Sequence, residues 1–93
     1  MTMATTALIH DEDRIQYVQS VFRRVLKLDR EVTADDDFFA LGGTSLTAME
    51  VIDLIDAEQG RRLPVRNFYQ ATVVRELAGE LAPAAEAGGG GAS

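Results

Sequence analysis

The chain contains no cysteine, which excludes disulfides and thiolate-held metal ions. Its only histidine, His10, lies ahead of the first periodic segment, so no imidazole is on hand for a catalytic triad. No apolar run approaches the length of a membrane span. No basic segment precedes an apolar stretch as it would in a secretion signal. No segment shows the alternation of a half-buried strand. These absences leave a soluble, cytoplasmic, all-α domain as the expectation.

With 93 residues the chain makes one domain at most, near the lower limit for independent folding. Residues 1–10 have little periodicity and residues 83–93 are Ala/Gly-rich, ending in a run of four glycines before Ala92 and Ser93. We expect a flexible leader at 1–10, a folded domain at 11–82 and a disordered tail at 83–93. About seventy residues bury one modest core but not a deep enzyme cleft. The net charge of −6 is unevenly spread: residues 29–59 hold nine acids against the single base Arg30. An acidic middle repels nucleic-acid phosphates and anionic lipids and attracts basic protein surfaces, so the expected partners are proteins.

Residues 11–28 place Ile15, Val18, Val21, Phe22, Val25 and Leu26 on one helical face, with acids at the start and bases toward the end. Residues 29–44 lack a period and read as an ordered loop pinned by Phe38, Phe39 and Leu41. A second helix begins at Thr44 or Ser45 and stops at Gly60, with Ala48, Val51, Ile52 and Ile55 toward the core. A short helical turn follows Pro64, with Val65, Phe68 and Tyr69 as apolar contacts. A last helix starts near Thr72, buries Val74, Leu77, Ala78 and Leu81, and ends at Pro83. The expected architecture is a four-helix bundle with three main helices, one short third helix and a long first connection.

The segment from Asp36 to Leu46 is the informative one. Two glycines, Gly42 and Gly43, end a loop and deliver a hydroxyl to a helix start, where an anion such as a phosphate ester is favoured. Alternatively, Thr44 or Ser45 merely caps the helix. A hydrolase nucleophile elbow is excluded, because no glycine stands two places after Ser45 and no strand precedes it.

Asp37-Phe38-Phe39, Leu41-Gly42-Gly43, Thr44 and Ser45-Leu46 resemble, in order and spacing, the attachment motif of phosphopantetheine-dependent carrier proteins. Leu63-Pro64-Val65-Arg66 and Glu76-Leu77-Ala78 are similar to later stations of that family, so the resemblance covers about residues 14–81. The doubled glycine, with Thr44 where fatty-acid carriers have aspartate, is most like a freestanding peptidyl carrier of nonribosomal peptide synthesis. A polyketide-type acyl carrier is the alternative within the family, and a helical interaction module without a prosthetic group is the one outside it.

The resemblance implies a carrier protein, not an enzyme. Its Ser45 would bear 4′-phosphopantetheine, transferred from coenzyme A by a phosphopantetheinyl transferase. The arm would hold aminoacyl, peptidyl or acyl cargo as a thioester in natural-product biosynthesis. Further partners implied are an adenylation or acyl-loading enzyme and downstream condensation or tailoring enzymes, met by a monomer. Thr44, Leu46, Met49, Glu50, Asp53 and Asp56 are the candidate docking residues around Ser45, with Leu46 and Met49 read as an exposed apolar pair and the acids as steering charges. No residue is assigned a catalytic or metal-binding role.

Overall fold

A computed structural model describes residues 10–82. Except for His10, the expected leader and tail lie outside the described residues. Helix α1 spans Asp11–Leu26, with Asp11, Glu12 and Asp13 in its first turn and Arg23 and Arg24 in its last, matching the helix dipole. It stops two residues short of expectation because Lys27 turns left-handed at φ 55° and the Leu28 N–H reaches back to the Arg23 carbonyl at 3.1 Å. Val18, Val21 and Phe22 are fully buried, while Ile15, Val25 and Leu26 pack against the core more peripherally. Arg14 is also buried and pairs with Asp11, a placement its polar head did not advertise in the sequence.

Helix α2 spans Ser45–Gln59 and buries Ala48, Val51, Ile52 and Ile55, the expected face. Gly60 ends it at φ 68°. Helix α3 is Val65–Gln70 and helix α4 is Val74–Glu80. Four helices form, with no strand among the described residues, but α4 has only seven residues against six in α3. Helix α1 packs on α2 and α4, and α2 packs on α3. Across the α1–α2 seam the Arg24 guanidinium clamps both Glu58 carboxylate oxygens at 2.9 and 3.1 Å, and the Tyr17 hydroxyl donates to the same carboxylate at 2.7 Å. Arg24, then Tyr17, holds the Glu58 carboxyl below its usual range, while burial and the Glu58 charge push the Tyr17 phenol up.

The loop between α1 and α2 acts as a structural member. Phe38 is fully buried and Phe39 and Leu41 pack against the core, as expected. Val32 is buried too, with its carbonyl held by the Gln19 side chain at 2.6 Å. The loop caps α4: the Val74 N–H donates to the Asp36 carbonyl at 3.0 Å and the Arg75 N–H to the Ala34 carbonyl at 2.9 Å. These bonds satisfy donors that a helix start leaves without intrahelical partners. The expected helix start near Thr72 is therefore corrected: α4 begins at Val74, and the Thr72 hydroxyl donates to Asp37. At the other end of α4, Arg61 donates to the carbonyls of Leu81 at 2.8 Å, Ala82 at 2.9 Å and Glu80 at 3.2 Å. Those bonds close the helix before Pro83 is reached.

Ile55 sits where α2 turns its apolar face to the core and has no exposed surface. Ile55→Ala should therefore lower unfolding free energy in urea by about 2–5 kcal/mol. A change below about 0.5 kcal/mol would mean that this face is not core.

Candidate functional site

The polypeptide reaches Ser45 through a turn organised by one carboxylate. Asp37 Oδ2 accepts the N–H groups of Phe39 at 2.9 Å and Ala40 at 3.1 Å, and Oδ1 accepts the Thr72 hydroxyl. The Thr72 bond foremost, helped by the two backbone donors, lowers the Asp37 pKa despite partial burial. Phe38 is tied on both sides: its N–H donates to the Thr72 carbonyl at 2.9 Å and its carbonyl accepts the Gly43 N–H at 3.0 Å. An isolated antiparallel bridge pairs Asp37 with Val73. The other loop acids are also engaged. Asp36 accepts the Thr33 N–H at 2.8 Å, and Asp35 pairs with Arg75 at 2.9 Å.

The two glycines are required for different reasons. Gly42 has φ 106°, a conformation L side chains rarely adopt, and space around it is open. Gly43 has no positive φ, but a Cβ there would be driven into the Phe38 ring. That ring is fixed in turn by edge contacts to Phe22 at 4.9 Å, Phe39 at 5.2 Å and Phe68 at 5.3 Å between centroids.

Thr44 is the N-cap of α2. Its hydroxyl accepts the Thr47 N–H at 3.2 Å, and the Thr47 hydroxyl accepts the Thr44 N–H at 2.8 Å, a reciprocal box. Of the two residues offered as caps, the box selects Thr44. Capping is done by Thr44, and Ser45, exposed at the first helical position, keeps its hydroxyl for other use. The Ser45 and Leu46 N–H groups have no carbonyl within the helix to donate to, which suits an anion at this end. The Ser45 oxygen accepts a hydrogen bond from the Tyr69 hydroxyl at 3.3 Å.

Leu46 is 71% exposed beside the serine. Met49 is not its exposed partner: it lies half-buried against the core, because the position also borders the packed face of α2. Glu50 is exposed. Asp53 and Asp56 share the Arg62 guanidinium at 2.8 and 3.4 Å, so part of their charge is offset locally. Of the three residues expected to make apolar contacts after Pro64, Phe68 is fully buried, Tyr69 stacks on Phe39 while 44% exposed, and Val65 is 42% exposed. Among the described residues there is no cluster suited to a metal ion, and no helix is long and apolar enough to cross a membrane.

The sequence profile of the family described as "Phosphopantetheine attachment site" matches residues 16–81. The chain is 48% identical over 60 residues to an isonitrile lipopeptide synthase of Mycobacterium tuberculosis, a match covering 64% of this chain and 2% of that protein. It is 36% identical over 66 residues to a nonribosomal peptide synthetase of Claviceps purpurea, covering 69% of this chain and 3% of that one. It is 36% identical over 67 residues to the indigoidine synthase of Dickeya dadantii, covering 72% and 4%. The chain thus corresponds to a few per cent of the length of these relatives.

The Asp37 geometry generates a pH prediction. A carboxylate whose folded pKa is depressed contributes stability that is fully present above its ordinary value of 3.8 and lost as pH falls through the folded value. Asp37→Asn should therefore lower the melting temperature at pH 7, and the gap to the parent should close as pH falls below the ordinary carboxylate range. A gap that is constant from pH 7 to pH 2 would show that the charge of Asp37 contributes nothing.

Proposed function

The chain belongs to the family of phosphopantetheine attachment domains, and on that premise we propose that Ser45 is the residue to which the group is attached. The prosthetic group of this family is 4′-phosphopantetheine. One observation carries the assignment to Ser45: the Thr44–Thr47 box caps α2, leaving the exposed Ser45 hydroxyl uncommitted to the backbone. The site fits a phosphodiester, since the serine is exposed at a helix start whose first N–H groups are directed outward. When bound, the arm supplies a terminal thiol that holds cargo as a thioester.

The chain's own residues present and position. In priming, the Ser45 oxygen forms the bond to phosphorus as the pyrophosphate bond of coenzyme A breaks and adenosine 3′,5′-bisphosphate leaves. Its proton leaves to a base of the phosphopantetheinyl transferase, for Ser45 is hydrogen-bonded to a phenol rather than to an imidazole or carboxylate. The relatives named as a nonribosomal peptide synthetase and a lipopeptide synthase support a role in nonribosomal peptide assembly. There the domain would carry aminoacyl or peptidyl cargo between an adenylation enzyme and condensation or tailoring enzymes. Such a tether raises effective concentration without tight binding. Leu46 is the apolar contact for those partners, Glu50 the free steering charge, and Thr44, Met49, Asp53 and Asp56 border the contact.

Incubation with coenzyme A and a broad-specificity transferase should add one phosphopantetheine by intact mass, and Ser45→Ala should stay folded and unmodified. Modification of Thr44 or Thr47 in that variant would overturn the assignment. In the same assay series Leu46→Glu should change stability by less than about 0.5 kcal/mol, as expected for an exposed side chain. It should nevertheless slow loading by the adenylation enzyme severalfold. Unchanged loading would remove Leu46 from the contact surface.

A further inference from the structure

We infer that Tyr69 is a positioning residue for the prosthetic group, its phenol hydroxyl fixing the root of the arm at Ser45; this rests on Ser45 being the attachment residue. The phenol is the donor in the Tyr69–Ser45 bond, at 3.3 Å, and Ser45 is the acceptor. Attachment replaces the serine proton by phosphorus and leaves the oxygen in place. A bond that used the serine proton would be lost on modification. One that uses the serine lone pair keeps its acceptor, now joined by anionic phosphate oxygens that accept more strongly.

The ring is held for this purpose although 44% of the residue is exposed. It stacks on Phe39 with centroids 5.7 Å apart and planes 9° from parallel, and meets the edge of Phe68 at 5.9 Å. Phe39 and Phe68 both contact the buried Phe38. The donor therefore sits at the outer end of an aromatic ladder rooted in the core, and its position costs little further ordering when a phosphate arrives. A phenylalanine would keep every ring contact and lose only the donor, so the hydroxyl can be tested apart from packing.

The experiment primes the parent, Tyr69→Phe and Tyr69→4-aminophenylalanine with coenzyme A, confirms one arm on each by intact mass, and records the phosphorus-31 resonance of the diester. All three should melt alike. The diester resonance of Tyr69→Phe should move from the parental position by more than a linewidth and sharpen as the root of the arm gains freedom. The 4-amino variant, which restores a donor, should return it toward the parent. Superimposable parent and Tyr69→Phe resonances on fully primed protein would overturn the role of Tyr69 while leaving Ser45 as the attachment residue. Failure of the parent to gain an arm at Ser45 would overturn both.

Discussion

Everything near Ser45 depends on where the Phe38 ring sits. It has no exposed surface, and it touches Phe22 of α1, Phe68 of α3 and the neighbouring Phe39. Its backbone is bonded forward to Gly43 and across to Thr72. Edge-to-face aromatic contacts are worth about 0.5–1.5 kcal/mol each beyond area burial, so a residue making three of them is hard to displace. The loop before α2 therefore inherits the rigidity of the core. The absence of a Cβ on Gly43 lets the backbone settle directly on the ring. Two residues later the polypeptide presents Ser45.

A division of labour follows at the helix start. If Ser45 had been the cap, esterifying it would remove a bond that holds the first turn of α2, and modification would loosen the helix that presents it. With Thr44 and Thr47 closing the turn, the serine can change chemically at little structural cost. The same economy holds at α4. Its first N–H groups are met by loop carbonyls, which frees the Thr72 hydroxyl to join Asp37 in fixing the turn that leads to the glycines.

Much of this was legible in the sequence. The apolar faces of α2 and α4 were written in period 3.6, and every core position read there is buried. The end of α2 at Gly60 was written in residue type, and the attachment motif in order and spacing. What stayed hidden depended on contacts between distant segments. The bonding of Thr72 to Asp37, 35 residues apart, has no local signal, nor does the capping of α4 by the loop. Met49 was misplaced because a helical wheel assigns an angle but cannot say how wide the packed stripe is. The apolar residues after Pro64 could be named but not ranked by burial, because a six-residue helix is too short for its period to declare a face.

The central claim is that the Phe38 ring and the missing side chain at Gly43 form one steric unit that places the serine. A double-mutant cycle in urea with Gly43→Ala and Phe38→Leu tests it most directly. Alone, Gly43→Ala should destabilise by about 1–3 kcal/mol, the usual range for overpacking, since its φ is one alanine tolerates. In the Phe38→Leu background, where the ring is gone, most of that loss should disappear, leaving an interaction energy of about 1 kcal/mol or more. If Gly43→Ala costs the same in both backgrounds to within about 0.5 kcal/mol, the two positions are independent and the ring does not set the path to Ser45.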